Sequence, residues 1–244
     1  MEATTILFLV LLFNIAVLYS TVGHGGASGY LALMGLFHFT PEVMRPSALV
    51  LNIVVSLIAA WQYSRTEKIN FKLLFWLLAG SLPAAFLGAM INLDTDIYKK
   101  ILGIIVLIHS LQMFGLFAKI SFKNIYPSPV PVFFAGSAIG FISGIIGIGG
   151  GIFLSPLLII TGWASIRQTT LISACFICLN SFAGLGGLMI NGIIFSNILY
   201  IWLSIAICGG LLGSWLGSRK LSPLNLKKIL GLVLFVAGVK LILS

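Results

Sequence analysis

Long apolar runs, separated by short polar or glycine-rich stretches, follow one another along the whole chain. A helix needs about 20 apolar residues to cross the hydrocarbon core of a bilayer. Runs of about that length lie at roughly 43–62, 71–90, 98–118, 167–190, 194–217 and 224–243. The remaining runs form two pairs, roughly 4–20 with 26–38 and 130–146 with 151–162, and clustered glycines interrupt each pair. The pattern predicts an all-α integral membrane protein.

Matching sequences occur in the same order in the two halves of the chain. YKKILGIIVL and VGHGGASGYLAL in the first half are similar to LKKILGLVLF and IGIGGGIFLSPL in the second. RPSAL aligns with RQTTL after a shift of two residues, which places Arg45 opposite Arg167. Duplication in order and spacing indicates a repeat architecture. We therefore predict a first transmembrane repeat at 1–118, a linker at 119–129 and a second transmembrane repeat at 130–244. Each repeat comprises a glycine-broken or re-entrant helical pair and then three transmembrane helices.

Composition and charge change the picture by excluding other classes. The chain is 59% hydrophobic and 8% charged, whereas soluble domains carry about 25% charged residues. Lys and Arg number 14 against five acids, a net charge of +9, and they lie in short loops between apolar runs. The expected partner is therefore the lipid bilayer and not a nucleic acid. Cys175 and Cys178 stand inside an apolar run without a second Cys or His pair, so we interpret them as packing residues and expect no metal or cofactor.

The loop charges distinguish between two topologies. If each glycine-broken pair re-enters on its own side, the basic residues divide unequally. One side then carries Arg65, Lys68, Lys72, Lys119, Lys123, Arg167, Arg219, Lys220, Lys227 and Lys228, and the other carries Arg45, Lys99, Lys100 and Lys240. If each pair crosses once, the division is nearly even. Because loops rich in Lys and Arg stay in the cytoplasm, we predict two inverted repeats in the cytoplasmic (inner) membrane, with both termini outside.

The glycine clusters at matching positions predict the substrate site. Irregular backbone survives in a bilayer only where it is buried in protein or lines a wet cavity, and glycine lets a ligand approach the backbone closely. A helix that begins after such a turn presents unpaired N–H groups and a positive dipole end, which suits an anion. Broken helices at equivalent places of inverted repeats indicate a transporter site. The alternative is that the glycines only allow close helix packing.

The predicted substrate-binding residues comprise the two turns and the polar side chains beside them. They are Gly23, His24, Gly25, Gly26, Ser28, Gly147, Gly149, Gly150 and Gly151, with Ser20, Thr21, Asn52, Gln168, Thr169, Arg45 and Arg167. Each hydroxyl or amide could instead bond its own helix. His24 could attract an anion or carry a proton near neutral pH, or make a structural hydrogen bond. Arg45 and Arg167 are either interfacial anchors or attractors of the anion at two pocket mouths.

The acidic residues indicate the sign of the substrate by where they are placed. All five, Glu2, Glu42, Glu67, Asp94 and Asp96, fall at a chain end or in predicted loops. A cation pump or proton relay usually needs a carboxylate inside the membrane, so this distribution favours an anionic substrate. His109 lies within a predicted span, apart from other polar clusters, and is assigned a structural role.

The motif GIGGGIFLSP at 147–156, its degenerate copy GHGGASGYLA at 23–32 and the repeated halves resemble the TauE/SafE family of sulfite exporters and toluene sulfonate uptake permeases. The resemblance covers essentially the whole chain. It implies transport of sulfur-containing anions such as sulfite, thiosulfate or organosulfonates across the cytoplasmic membrane. The first copy departs from the pattern at His24, Ala27 and Ala32, which indicates an asymmetric pocket.

The leading hypothesis is a secondary permease for small sulfur-containing anions. The alternative is an anion channel or passive facilitator of different specificity, which would share the site but lack coupling. An enzyme is not expected, because the three histidines are dispersed and the predicted spans hold no acids. The remaining expected partner is the small anionic substrate, and assembly into a homo-oligomer stays open.

Overall fold

A computed structural model describes residues 2–115, 127–193, 195–219 and 224–243. Throughout these residues the regular elements are α-helices. They are α1 (Glu2–Ser20), α2 (Ala27–Leu36), α3 (Pro41–Tyr63), α4 (Phe71–Ala89), α5 (Thr95–Met113), α6 (Pro129–Ile146), α7 (Gly151–Thr161), α8 (Ile166–Ile190), α9 (Leu199–Arg219) and α10 (Leu224–Leu243). The fold is therefore all-α, as the apolar pattern predicted.

Some predictions fall on residues that the structure does not describe. These are the end of the predicted span at 116–118 and most of the predicted linker, 119–126, with Lys119 and Lys123. Lys220 lies outside the described residues as well, and so do the side chains of Glu2, Arg219, Lys227 and Lys228.

Helices α3, α4, α6, α8 and α9 are long and apolar enough to cross a membrane. Helix α6 belongs to this group although its run was predicted as one member of a glycine-broken pair. Helix α5, predicted as a span, does not belong to it, because Asp96, Lys99 and Lys100 in its first turns shorten the apolar stretch. Every predicted run corresponds to one helix, and the helix ends lie within about five residues of the predicted ends.

Glycines break the chain between α1 and α2 and between α6 and α7. Gly23 and Gly26 have φ of +73° and +97°, and Gly147 and Gly150 have φ of +86° and +83°. Glycine adopts this left-handed conformation without the steric cost that a Cβ brings. The chain then turns back, since Phe37, which follows α2, packs on Phe8 near the start of α1 with ring centroids 5.2 Å apart. The helices α1 and α2 thus form a hairpin.

Two helix pairs pack backbone to backbone through glycines spaced four residues apart. In α6 these are Gly136, Gly140 and Gly144, where a Cβ would overlap the carbonyl oxygens of Leu77, Ser81 and Ala85 in α4. In α9 they are Gly209, Gly213 and Gly217, which meet the backbone of α1 and the residue after it. The contacts advance in the same direction along both helices, so each pair is parallel. Small residues permit this close approach in membrane helices.

The centre of the bundle is the contact of α3 with α8. Asn52 of α3 donates from Nδ2 to Oγ of Ser181 in α8 at 2.9 Å, whereas Leu49, earlier in α3, meets Gly184, later in α8. These two helices therefore run antiparallel. Helices α5 and α10 are also antiparallel, because Gly103 contacts Gly238 and Leu241 while Ser110 bonds the carbonyl of Gly231.

Candidate functional site

A cavity of about 640 Å³ opens at the end of the bundle where α3, α5 and α9 finish and α8 begins. Its lining residues come from five helices (α3, α5, α7, α8 and α9), the loop after α3 and the first glycine turn. They are Thr21, Val22, His24, Tyr63, Thr66, Glu67, His109, Gln112, Met113, Ile152, Ser155, Pro156, Ile159, Ile166, Arg167, Thr169, Thr170, Gly217 and Ser218. The volume is of the size that small-molecule sites occupy in proteins.

His24 reaches the cavity from the turn between α1 and α2. Its Nδ1 donates to the carbonyl oxygen of Val22 at 3.1 Å. A neutral imidazole with a hydrogen on Nδ1 has an acceptor at Nε2, and Oγ of Ser155 in α7 lies 3.1 Å from that nitrogen. The same Oγ lies 2.9 Å from Oγ of Ser173 in α8. His24 is therefore held in one orientation by a chain of hydroxyl groups, and it is 9% exposed.

His109 stands opposite His24 in the cavity wall. The two ring centroids lie 6.4 Å apart, and the His109 ring lies 6.0 Å from that of Tyr19. Nδ1 of His109 donates to Oε1 of Gln112 at 3.3 Å, and its Nε2 is buried without a hydrogen-bond partner. The expectation that His109 lies apart from other polar groups is wrong. Gln112 shares its helix face at i+3, which is the one sequence signal that pointed to a polar site here.

Thr169 lines the same cavity from the first turn of α8. Its Oγ1 is buried and has no hydrogen-bond partner, and its residue is 3% exposed. Among the described lining residues, Thr169 and His109 are the two with a buried, unpaired polar atom. Buried polar groups are nearly always hydrogen-bonded in proteins. These two atoms are therefore candidate contacts for a polar ligand in the cavity.

The mouth of the cavity carries an ion pair. Nη1 of Arg167 lies 3.8 Å from Oε1 of Glu67, and the two side chains are 84% and 18% exposed. Gln168, which was predicted to bind substrate, instead forms a capping box with Ser165. Each of these two side chains bonds the other residue's backbone N–H at the start of α8. The mouth thus offers one exposed guanidinium beside a partly buried carboxylate.

Arg45 is buried away from the cavity, whereas Arg167 is exposed at its mouth. It is 5% exposed, and its guanidinium donates to the carbonyls of Ala89 at 2.9 Å, Ile91 at 3.2 Å and Gly144 at 3.3 Å. The first two carbonyls belong to the C-terminal end of α4, where carbonyl groups lack helical partners. Arg45 is not among the cavity-lining residues. In this structure Arg45 is therefore neither exposed at an interface nor part of the cavity, and its role at a second pocket mouth stays a prediction.

The packing of the turns explains this difference. Gly147 packs on Arg45, and the equivalent Gly23 packs on Thr170. Thr170 is consequently the structural counterpart of Arg45, and the sequence alignment that paired Arg45 with Arg167 is displaced by three residues.

Asn52 joins the two glycine turns. Its Oδ1 accepts from the backbone N–H of Ala27 at 3.2 Å, in the first turn of α2. A Cβ on Gly25 or on Gly149 would overlap the Asn52 side chain, one turn on each side. The positions that a Cβ would take on these glycines are therefore occupied by protein, and Asn52 holds the turns at a fixed separation.

The predicted site residues accordingly fall into two groups. Thr21, His24, Arg167 and Thr169 line the cavity. The others pack behind it or elsewhere, and they comprise Ser20, Gly23, Gly25, Gly26, Ser28, Arg45, Asn52, Gly147, Gly149, Gly150, Gly151 and Gln168. Ser20 bonds the carbonyl of Ala16, and Ser28 lies 2.7 Å from the Tyr19 hydroxyl. The site that the structure offers is thus beside the turns and includes Glu67, His109 and Ser155, which the predicted set lacked.

These features define a class, a helical membrane protein with long apolar spans and a cavity that opens at one end and contains several polar side chains. The sequence matches the model of the family described as "Sulfite exporter TauE/SafE" over residues 7–241. The chain belongs to the TauE/SafE family. The family description and the names of the relatives below indicate a membrane transporter.

Two similar proteins extend over nearly the same length. A probable membrane transporter protein of Sinorhizobium fredii is 34% identical over 246 residues, covering 99% of this chain and 100% of the relative. A probable membrane transporter protein of Methanocaldococcus jannaschii is 27% identical over 263 residues, covering 97% of this chain and 95% of the relative. No solved structure matches the chain significantly.

Proposed function

We propose that this transporter is a secondary permease for small sulfur-containing anions, such as sulfite, thiosulfate or an organosulfonate. The observation that carries the proposal is the chemistry of the side chains that line the cavity. The lining includes the hydroxyl groups of Ser155 and Thr169 and two imidazole rings, and its one acid, Glu67, is paired with Arg167 at the mouth. Hydroxyl donors without an unpaired carboxylate suit an oxyanion, whereas a cation site would present carboxylates. The family description names sulfite, which supports the sulfur chemistry.

Two inverted repeats, 1–118 and 130–244 with the linker 119–129 between them, form part of this proposal. Helices α3 and α8 hold the same place in the helix order of the two halves, and so do α5 and α10. Each of these pairs is antiparallel, which an inversion requires. Two pairs of positive-φ glycines, Gly23 with Gly147 and Gly26 with Gly150, recur at equivalent places. The two glycine turns then lie near the bilayer midplane, which is where transporters of this design bind substrate.

The cavity end is the proposed cytoplasmic end. The loop between α3 and α4, with Arg65 and Lys68, and the start of α8, with Arg167, lie at this end. Because basic loops are retained in the cytoplasm, the structure corresponds to an inward-open state and both termini lie outside. Transport then requires a second state in which the cavity opens at the other end. A channel would not require one.

Ligand-induced thermal stabilisation in detergent tests this function. We expect thiosulfate or sulfite to raise Tm, since an anion at 100 times its Kd stabilises the folded state by about 2.7 kcal/mol. Thr169→Val is expected to weaken this binding about tenfold, because the loss of one hydrogen bond to an anion costs about 1.5 kcal/mol. Ser47→Ala is the matched control, since its hydroxyl is also buried and unpaired but lies outside the cavity.

Two outcomes would count against the proposal. If neither thiosulfate nor sulfite raises Tm, the proposed substrate class is wrong. If a sulfur anion does so and Thr169→Val binds it as Ser47→Ala does, the anion site is elsewhere than in this cavity.

A further inference from the structure

We propose that Nε2 of His109 binds one proton together with each anion, so that the permease is a proton–anion symporter. This inference rests on the proposed function and adds the coupling ion and the atom that carries it. The geometry of the two histidines carries it, since both rings are fixed with the same nitrogen toward an oxygen acceptor.

The acceptors around the two rings fix their tautomers. Nδ1 of His24 faces the carbonyl oxygen of Val22, and Nδ1 of His109 faces Oε1 of Gln112. Both oxygens can only accept, so each Nδ1 carries the hydrogen and each Nε2 carries a lone pair. In the neutral protein neither Nε2 can donate to an anion. Addition of a proton at Nε2 turns the ring into a cation with an N–H donor at that position.

Of the two, His109 is the group that is free to take the proton. Nε2 of His24 already lies 3.1 Å from the hydroxyl of Ser155, whereas Nε2 of His109 is buried and unpaired. His109 is 2% exposed and lines the cavity. An anion in the cavity supplies both the negative charge that stabilises the imidazolium and an acceptor for its N–H. With the ring centroids 6.4 Å apart, a second imidazolium would repel the first, so one proton accompanies each anion.

The other titratable groups that face the pair are accounted for by their own partners. On α1, the Tyr19 hydroxyl bonds Ser28. At the end of α3, the Tyr63 hydroxyl donates to the carbonyl of Thr21 at 2.7 Å, and beyond it Glu67 pairs with Arg167 from α8.

Among the remaining helices, α2 carries one titratable group behind the first glycine turn, and that group does not line the cavity. Tyr30 of α2 lies against Gly26, behind the first turn. Helices α7 and α9 contribute no titratable side chain to the described lining. The histidines are therefore the lining groups whose ordinary protonation falls near neutral pH.

The cycle balances in protons and charge without a covalent step. A proton from the solution at the open end binds Nε2 of His109 as the anion enters. When the cavity opens at the other end, the anion leaves, the imidazolium loses the stabilising charge, and the proton is released to the same side as the anion. A monovalent anion then moves without net charge, and a divalent anion moves one net negative charge.

The pH dependence of thiosulfate binding tests the inference directly. Thiosulfate is the probe because sulfite itself takes up a proton near neutral pH, which would mimic the effect. If binding takes up one proton, Kd rises about tenfold per pH unit wherever the free imidazole is neutral and the anion-bound imidazole is charged. We expect this slope in the wild type between pH 7 and 8.5 and a flat Kd in His109→Gln, whose amide keeps polar groups but does not titrate. His38→Gln is the control, because His38 is exposed and lies outside the cavity, and it should keep the wild-type slope.

Proton movement in liposomes provides the second measurement. With the wild type and a pH-sensitive dye inside, an inward thiosulfate gradient should acidify the lumen, and His109→Gln should abolish that acidification. Thiosulfate binding with a flat Kd in the wild type, or a wild-type slope retained in His109→Gln, would overturn the inference while leaving the proposed permease in place. Absence of any sulfur-anion binding would instead remove the proposed function itself.

Discussion

Replacement of Gly149 by valine is expected to abolish anion binding and to lower Tm more than any cavity substitution. Gly149 has φ of +69°, where a β-branched residue costs about 1–3 kcal/mol of backbone strain. A Cβ at this position would also overlap Nδ2 of Asn52 and meet Oγ of Ser181, and such overpacking costs about 1–3 kcal/mol. Asn52 would have to break its hydrogen bond with the backbone N–H of Ala27, so both glycine turns would shift behind the cavity.

Gly192→Val measures the effect of backbone strain alone, without the steric overlap that a side chain at Gly149 causes. Gly192 has φ of +84°, and a Cβ there has no heavy atom within 4 Å. We expect Gly192→Val to lower Tm modestly and to leave thiosulfate stabilisation intact. Thermal unfolding in detergent, with and without thiosulfate, measures both effects. Equal Tm and equal stabilisation in the two variants would show that the turn tolerates a side chain and that Asn52 does not hold it in place.

The second large effect is expected from Arg45→Gln. The guanidinium donates to three carbonyls that join the end of α4 to α6, and hydrogen bonds from a charged group contribute about 1.5–3 kcal/mol each. A glutamine can keep one of them, so a loss of about 3 kcal/mol in the free energy of unfolding is expected. Urea unfolding followed by tryptophan fluorescence measures this change.

Arg167→Gln is the matched variant for Arg45→Gln. The Arg167 side chain is 84% exposed and its ion pair is long, 3.8 Å, so its loss should change stability by less than about 1 kcal/mol. Arg167→Gln should instead slow the association of the anion with the cavity, and the association rate should then depend less on salt concentration. If Arg167→Gln destabilises the protein as much as Arg45→Gln does, the assignment of the two arginines is wrong.

The helices and their breaks were predictable because they depend on local sequence. Apolar runs of about 20 residues define the spans, and Gly26 and Gly150 mark where a left-handed residue must interrupt them. Thr169, which lines the cavity, was among the predicted residues because a threonine beside the start of a span is a visible candidate donor. Membership of the TauE/SafE family followed from the duplicated glycine motif and is confirmed by the family match.

The cavity itself was not predictable, because it depends on contacts between distant helices. His24 and His109 are 85 positions apart in the chain and meet only when α5 packs beside the first turn. Local sequence also gives Arg45 and Arg167 the same place at the start of a span, although one is buried and the other exposed. The glycines indicated the region beside which the cavity lies, but Asn52 fills the space at Gly25 and Gly149, so the cavity is next to the turns and not within them.

The glycines through which α9 packs on α1 have a consequence for the order in which the helices pack during synthesis. The hairpin of α1 and α2 is synthesised long before the surface that packs against the α1 backbone, Gly209, Gly213 and Gly217. Until then α1 must wait in the bilayer with lipid or an insertion factor against that face. Helix α6 does not wait, because its partner α4 is already in place. The hairpin of α1 and α2 is therefore expected to reach protease resistance only after α9 has been made.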